Sequence, residues 1–281
     1  MKNPWKGGHS GMIGFIGGGN MAEALIKGIR AKGAVGITVS EPLPARRRYL
    51  EETYGVRATD SNREAAGQAE IVVIAVKPQV IDSVLSDIAD VLSGENKKGR
   101  GDGKKLVVSI AAGVRLSYLT ERLGTPNVVR AMPNTPALAG EGMTVLALCE
   151  CIPEAGFAGV KDIFMSVGKV MVLPEKYMDA VTALSGSGPA FFALFLEGLI
   201  EGAVREGLSE QTARELALQT ATGTIRMLEE GLGTDRLIKM VTSPGGTTQA
   251  GLEVLESKGF KAILYDTIKA AAGRAKQLGK D

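Results

Sequence analysis

Histidine is nearly absent from this chain: one residue in 281, His9. It stands in the polar stretch MKNPWKGGHS, ahead of any apolar run, and is a poor candidate for a buried catalytic group. Histidine-rich metal sites, Ser-His-Asp triads and Cys-His dyads are therefore excluded, and no metal is expected. Cysteine is scarce too, with only Cys149 and Cys151, one residue between them. On a strand that spacing turns the two side chains to opposite faces, an awkward geometry for a disulfide. So little cysteine fits the reducing cytosol. Nor does one charge dominate: 33 basic against 31 acidic residues leave +2, no footprint for nucleic acid or an anionic membrane. The segment before Met12 lacks the apolar core of a signal peptide, and no uninterrupted apolar run is long enough to span a bilayer. The expectation is a cytoplasmic enzyme or binding protein with neither nucleic acid nor membrane as partner.

What is present is apolar residues, 44 % of the chain, and glycine, 37 residues, about twice the usual ~7 %. The first two thirds alternate short apolar runs with helix-length segments. The expected strands are Met12–Gly17, Ile37–Ser40, Ile71–Val76, Leu106–Ala111 and Val128–Met132, with helices starting near Asn20, Leu43, Pro78 and Leu116. Near-continuous apolar strands such as IVVIAV indicate a parallel sheet covered on both faces by helices. Met143–Leu148 and Lys169–Leu173, with a helix between them, extend that sheet at its far edge.

After Leu173 the strand pattern stops. Helical stretches follow at Lys176–Leu184, Pro189–Glu206, Glu210–Glu229 and Lys261–Leu278. The run AFFALFLEGLI (190–200) is apolar nearly all round, the pattern of a helix buried on every side. So few helices cannot bury it alone, so a homodimer, or a higher oligomer of dimers, is expected. The fold class is thus α/β: a Rossmann-type doubly wound, mostly parallel sheet followed by an all-α dimerisation domain. Its parts are a disordered tail over 1–11, a dinucleotide-binding domain over 12–173, and a helical dimerisation and substrate domain over 174–281. The run SGENKKGRGDGK (93–104) has no apolar residue and is read as a mobile surface loop.

The strand MIGFIG runs into Gly17-Gly18-Gly19-Asn20-Met21-Ala22 and then a helix, matching G-x-G-x-x-A. Gly17 permits the tight turn, Gly19 lets backbone approach a pyrophosphate, and Ala22 allows close helix–strand packing. Free N–H groups and the positive dipole end of the helix favour the phosphates. The next strand ends at Ser40-Glu41, where an acid hydrogen-bonds adenosine ribose hydroxyls and repels a 2′-phosphate. The cofactor expected is NAD(P)H, with NADH used at least as well as NADPH because of Glu41. Arg46-Arg47-Arg48 follow and are read as a solvated basic helix face, the other reading being a partial offset of that repulsion.

Five further segments are unusual for ordinary core or loop: AVKP (75–78), VVSIAAGV (107–114), RAMPNTPA (130–137), SGSGPA (185–190) and TSPGGTT (242–248). The first three follow strand ends, the edge at which a doubly wound sheet binds ligands. The last two are glycine- and hydroxyl-rich turns ahead of helices, whose N–H groups suit a small carboxylate. Together they resemble the pyrroline-5-carboxylate reductase family, from Met12 to about Leu278.

That resemblance implies hydride transfer from a reduced nicotinamide to the C=N carbon of 1-pyrroline-5-carboxylate, giving L-proline, the last step of proline biosynthesis. It implies cofactor contacts on Gly17, Gly18, Gly19, Asn20 and Met21, on Ser40 and Glu41, on Asn62, and on Ala75, Val76, Lys77 and Pro78. It implies substrate contacts on Ser243, Gly246, Thr247 and Thr248, with Thr248 at the ring nitrogen as the catalytic candidate. Lys77 is also readable as a surface lysine before a proline-led helix, and Asn134 as a turn residue between prolines or as part of the cofactor pocket. The chain departs from the family at Leu237-Ile238-Lys239, where Leu-Lys-Asp is usual, and at Glu41, where a small or polar residue is common. One rival is a β-hydroxyacid dehydrogenase, which needs a lysine on the helix PAFFALFLEGLIEGAV; none is there. Another is a non-catalytic dinucleotide-binding protein, which predicts loss of the TSPGGTT turn.

Overall fold

The computed structural model describes residues 11–33, 35–93, 105–148, 152 and 154–279. The expectations placed on His9 and the rest of 1–10, on 94–104, and on Cys149 and Cys151 fall outside them. The described residues form two units: one of residues up to Ser187 together with those from Ala271 onward, the other Gly188–Ala270. Sheet and helices alternate in the first unit and only helices fill the second, the expected order of α/β first, all-α second.

The first unit is built on one sheet of β1 (Ile13–Ile16), β2 (Ile37–Ser40), β3 (Arg57–Thr59), β4 (Ile71–Ile74), β5 (Leu106–Ser109), β6 (Val128–Met132), β7 (Gly142–Leu148) and β8 (Gly168–Val172). Their order is β3-β2-β1-β4-β5-β6-β7-β8. Every neighbouring pair is parallel except β6 and β7. The helices are α1 (Asn20–Lys32), α2 (Pro44–Tyr54), α3 (Asn62–Gln68), α4 (Ile81–Ser93), α5 (Leu116–Leu123) and α6 (Glu154–Met165).

Strand alternation divides the core in two. Ile13, Phe15, Val73, Val108, Val129 and Ala131 pack with Leu25, Ile29 and Leu50 of α1 and α2 and with Phe164 of α6. On the other face Ile16, Val72, Ile74, Val107 and Val128 pack with Leu85 and Ile88 of α4 and Leu119 of α5. Burying one such side chain contributes roughly 1.5–3 kcal/mol. A sheet with both faces covered needs apolar residues at consecutive positions, which is why IVVI reads as an unbroken run.

Two elements of this unit carry no such run. β3 is only RAT, half-exposed, and is the terminal strand of the sheet. α3 is capped by Ser61, whose side chain accepts from the Glu64 N–H, and buries just Ala65 and Ala66. The stretch expected as one helix over 176–184 is three pieces: a 3-10 turn (Glu175–Tyr177), the short α7 (Met178–Val181) and a π-helical turn (Thr182–Gly186).

The second unit contains α8 (Gly188–Arg205), α9 (Glu210–Glu229), α10 (Thr234–Val241), α11 (Thr247–Ser257) and the body of α12 (Phe260–Leu278). The sequence pattern did not single out α10, eight residues long. The expectation that 190–200 is buried on every side is not met within one chain. Phe192 is 66 % and Leu194 69 % exposed, because only Phe195–Phe260 ring contact and a few helix faces cover this run. The joined helical stretch Glu175–Arg205, mean hydropathy 1.4, is moreover long and apolar enough to cross a membrane by length and composition. Glu197 and Glu201 interrupt it, so it is not the uninterrupted apolar run whose absence was expected. The last turns of α12 belong to the first unit: a Cβ on Gly113, after β5, would lie 2.9 Å from the Leu278 carbonyl oxygen.

Candidate functional site

The turn after β1 is shaped by close backbone approach. Gly17 has φ +97°, and a Cβ there would lie 2.7 Å from the Ala75 carbonyl oxygen. A side chain at this position is excluded twice, by conformation and by β4's continuation. Gly18 is buried, and its Cβ would meet Leu50 Cδ1 at 2.7 Å. Gly19 and Asn20, by contrast, are exposed, and a Cβ on Gly19 would meet nothing within 4 Å. Gly19 is the N-cap of α1 and supplies no side-chain acceptor, so the first-turn N–H groups of Asn20, Met21 and Ala22 face an open space. That open, donor-lined space fits a pyrophosphate.

Glu41 stands beside this turn, with a role the strand-end rule does not foresee. It is 8 % exposed, and its two carboxylate oxygens accept from Gly18 N–H and Leu43 N–H, each at 3.0 Å. Glu41 therefore ties the glycine turn to the start of α2. Ser40 donates to Asn62 Oδ1 at 2.5 Å, and Asn62 donates to Asp87 of α4 at 3.0 Å. Asn62, expected among the cofactor contacts, thus meets Ser40 where β2 ends, next to Glu41.

The three arginines do not act alike. Arg46 donates to the Gly18 carbonyl at 2.7 Å and pairs with Glu23 of α1. Arg47 donates to the carbonyls of Glu41 (2.7 Å) and Pro42 (2.9 Å). Arg48 is exposed. The solvated-face reading holds for Arg48 and fails for the other two, because the backbone carbonyls around the turn take their donors. Glu23 also accepts from Tyr49 (2.9 Å) and Tyr54 (2.7 Å). Burial pushes its carboxyl up, but the hydrogen bonds from Tyr54, Arg46 and Tyr49 outweigh it and hold Glu23 below its ordinary value. The same bond, helped by burial, pushes the Tyr54 phenol up.

β1, β4, β5 and β6 are parallel, so the segments after them share one sheet edge. Ala75 donates to the Ile16 carbonyl at 2.8 Å, and Lys77 is exposed and caps the 3-10 turn Pro78–Val80. Val76 is half-buried against the α3–α5 side of the core. At β6, Arg130 is 5 % exposed and pairs with Glu175 at 3.0 Å. Asn134 is half-buried and holds three partners: it accepts from Met143 N–H (2.8 Å) and donates to the Ser185 carbonyl (3.2 Å) and hydroxyl (3.3 Å). Neither sequence reading, a turn residue between prolines or part of the cofactor pocket, foresees these long-range bonds. The signal was available in the periodicity, since residues 130, 132 and 134 share one face of an extended chain.

In the second unit, Ser243–Gly246 makes a closed turn ahead of α11. Gly246 N–H donates to the Ser243 carbonyl at 3.0 Å, Gly245 has φ +72°, and its N–H donates to Gln249 at 2.8 Å. Gly246 is the N-cap, again without a side-chain acceptor, and Thr247 and Thr248 are the first helical residues. A Cβ on Gly246 would lie 2.5 Å from the Ser243 hydroxyl, so a side chain here would push that hydroxyl out of its place. The turn thus presents two threonine hydroxyls and unpaired helix N–H groups, a donor set for a small carboxylate. Among the described residues no group of three or more His, Cys, Asp or Glu could hold a metal ion.

Comparison with known proteins agrees along the whole chain. The family description "Pyrroline-5-carboxylate reductase dimerisation" matches residues 175–278, and "NADP oxidoreductase coenzyme F420-dependent" matches 12–113. A pyrroline-5-carboxylate reductase of Synechocystis is 44 % identical over 272 residues, 95 % of this chain and 98 % of that protein. The solved structure of a pyrroline-5-carboxylate reductase from Coxiella burnetii superimposes with TM-score 0.87 at 37 % identity, covering 97 % of this chain and all (100 %) of the other. That of the Plasmodium falciparum pyrroline carboxylate reductase with NADP bound gives TM-score 0.84 at 34 % identity, over 96 % and 98 % of the two chains. On this similarity, and with both glycine turns in place, the chain belongs to the pyrroline-5-carboxylate reductase family.

Proposed function

We propose that this protein is an NAD(P)H-dependent oxidoreductase that reduces 1-pyrroline-5-carboxylate to L-proline, completing proline biosynthesis. The observation that carries the reading is 44 % identity over 95 % of the chain to a relative so named. The bound cofactor supplies the hydride. The protein's own part is to bind and orient. Asn20, Met21 and Ala22 N–H groups, on an uncapped helix start beside Gly17–Gly19, receive the pyrophosphate. Ser40, Glu41 and Asn62 lie toward the adenosine ribose, and Ala75–Pro78 toward the nicotinamide half. Ser243 and the Thr247 N–H, brought close by the side-chain-free Gly246, hold the substrate carboxylate, and the Thr248 hydroxyl bonds the ring nitrogen. Holding a reacting pair in place supplies up to ~7–11 kcal/mol of barrier reduction, and a charged imine needs no metal or imidazole to accept hydride. A neutral threonine is a poor acid, so water delivers the proton.

The working assembly is a homodimer, alone or in a larger oligomer of dimers. The dimerisation match begins at residue 175 and takes in the whole apolar stretch 175–205, so a second copy rather than lipid covers it. A balance of 33 basic and 31 acidic residues gives no field for nucleic acid, and the protein works in the cytoplasm.

Loss of reduced-nicotinamide absorbance with pyrroline-5-carboxylate tests the activity, and Thr248→Ala tests the site. The substitution lowers kcat/KM tenfold or more, about 1.4 kcal/mol of transition-state stabilisation. No oxidation of NADH or NADPH by the wild-type protein rejects the function; an unchanged variant removes Thr248 from the mechanism.

A further inference from the structure

One face of β6 and its continuation grips the segment that precedes α8 at three alternating positions. Arg130 pairs with Glu175 at 3.0 Å, and the same Glu175 oxygen accepts from Leu116 N–H at 2.8 Å. Met132 lies under the π-helical turn: a Cβ on Gly186 would come within 2.6 Å of Met132 Cε. Asn134 donates to the carbonyl and the hydroxyl of Ser185 while its own oxygen accepts from Met143 N–H. Below lies an apolar floor of Val145, Ala147, Met178 and Val181. The motif RAMPNTPA and the motif SGSGPA are therefore two halves of one brace.

The turn so held is itself unusual. Its closing bond runs from Ser187 N–H to the Thr182 carbonyl at 2.8 Å, five residues back. Such wide turns are weaker than an α-helix and concentrate at functional sites. It lies beside the C-terminal end of β6, on the edge shared with the glycine turn after β1 and the segment Ala75–Pro78 after β4. An amide that can bond only in one orientation fixes this turn laterally as the apolar floor cannot.

We propose that Asn134 is a positioning residue of the reductase reaction: through Ser185 it holds the turn Thr182–Gly186 at the sheet edge, beside the segments after β1 and β4 that receive the cofactor. This rests on the reductase reading above. Asn134 touches neither reactant; it acts through the turn.

The test uses the full-length protein with pyrroline-5-carboxylate and NADH, beside the cofactor Kd from nicotinamide fluorescence and a thermal melt. Asn134→Asp keeps the acceptor for Met143 N–H but sets a carboxylate against the Ser185 carbonyl; Asn134→Ala removes all three bonds. Both lower kcat/KM for the imine tenfold or more and leave the Kd for NADH within threefold. Ser185→Ala, which keeps the carbonyl acceptor, has a smaller effect of the same kind. Should the Asn134 variants not fold, Ser185→Ala decides the matter. Unchanged turnover in the folded variants, with or without a lower Tm, overturns the proposal. Absence of turnover in the wild type overturns instead the reductase reading.

Discussion

Replacing Glu41 by Gln separates two jobs that one carboxylate performs. Its charge would repel a 2′-phosphate bound at the end of β2, and its two oxygens hold Gly18 N–H and Leu43 N–H at 3.0 Å. Like charges ~6 Å apart at an effective dielectric near 20 repel by about 3 kcal/mol. The two N–H dipoles and solvent at the phosphate reduce this to roughly 1.5–2 kcal/mol, which is a ten- to thirtyfold factor. Glu41→Gln therefore raises the ratio of kcat/KM for NADPH over NADH by about ten- to thirtyfold. The second effect is common to both cofactors. A carboxamide has one acceptor oxygen, so one of the two backbone donors loses its partner, at a cost of ~1–3 kcal/mol. The glycine turn loosens, and Kd rises by the same factor for NADH and NADPH. Steady-state kinetics with both cofactors at low and high salt distinguish the two, because only the ratio responds to screening. A ratio that stays within twofold of wild type refutes the charge argument and leaves Glu41 as a tie for the turn.

Gly19→Ala is a complementary test, because φ −69° suits alanine and nothing within 4 Å obstructs its Cβ. The melting temperature falls by no more than a few degrees, the scale of one changed cap. KM rises tenfold or more for both cofactors; unchanged KM values mean the pyrophosphate lies elsewhere. Glu23 predicts a pH dependence. Its folded pKa lies below its unfolded value near ~4.3, so its stabilising contribution is complete above that pH and is lost as pH falls through the folded value. Urea unfolding between neutral and acid pH shows this loss, and Glu23→Gln flattens it. An unflattened acid limb assigns the loss to other carboxylates.

The parts of the fold that rest on apolar pattern were legible in the sequence. Consecutive buried residues in β1, β4 and β5 announce a covered sheet, and the glycine turn is readable because its backbone leaves no room for a side chain at Gly17. β3 was not legible, because a three-residue terminal strand pairs on one side only and buries almost nothing. The π-helical turn could not be read either. Asn134, 51 positions away, donates to its Ser185, and local propensity around residues 182–186 carries no trace of such a partner. At Glu41 the strand-end rule pointed to an acid at the end of β2, and the structure shows what holds its carboxylate there. The N–H groups its oxygens accept from, at Gly18 and Leu43, are set by the path of the backbone and not by residue type.

The return of α12 to the first unit bears on how the chain comes off the ribosome. Residues from Ala271 onward complete a unit whose other residues end at Ser187, so the intervening helices are topologically an insertion. The loop after β5 meets the Leu278 carbonyl only once the helices of the second unit have been made. The sheet can form early, but this contact waits for the inserted helices, so the unit that begins first is not the first to be closed.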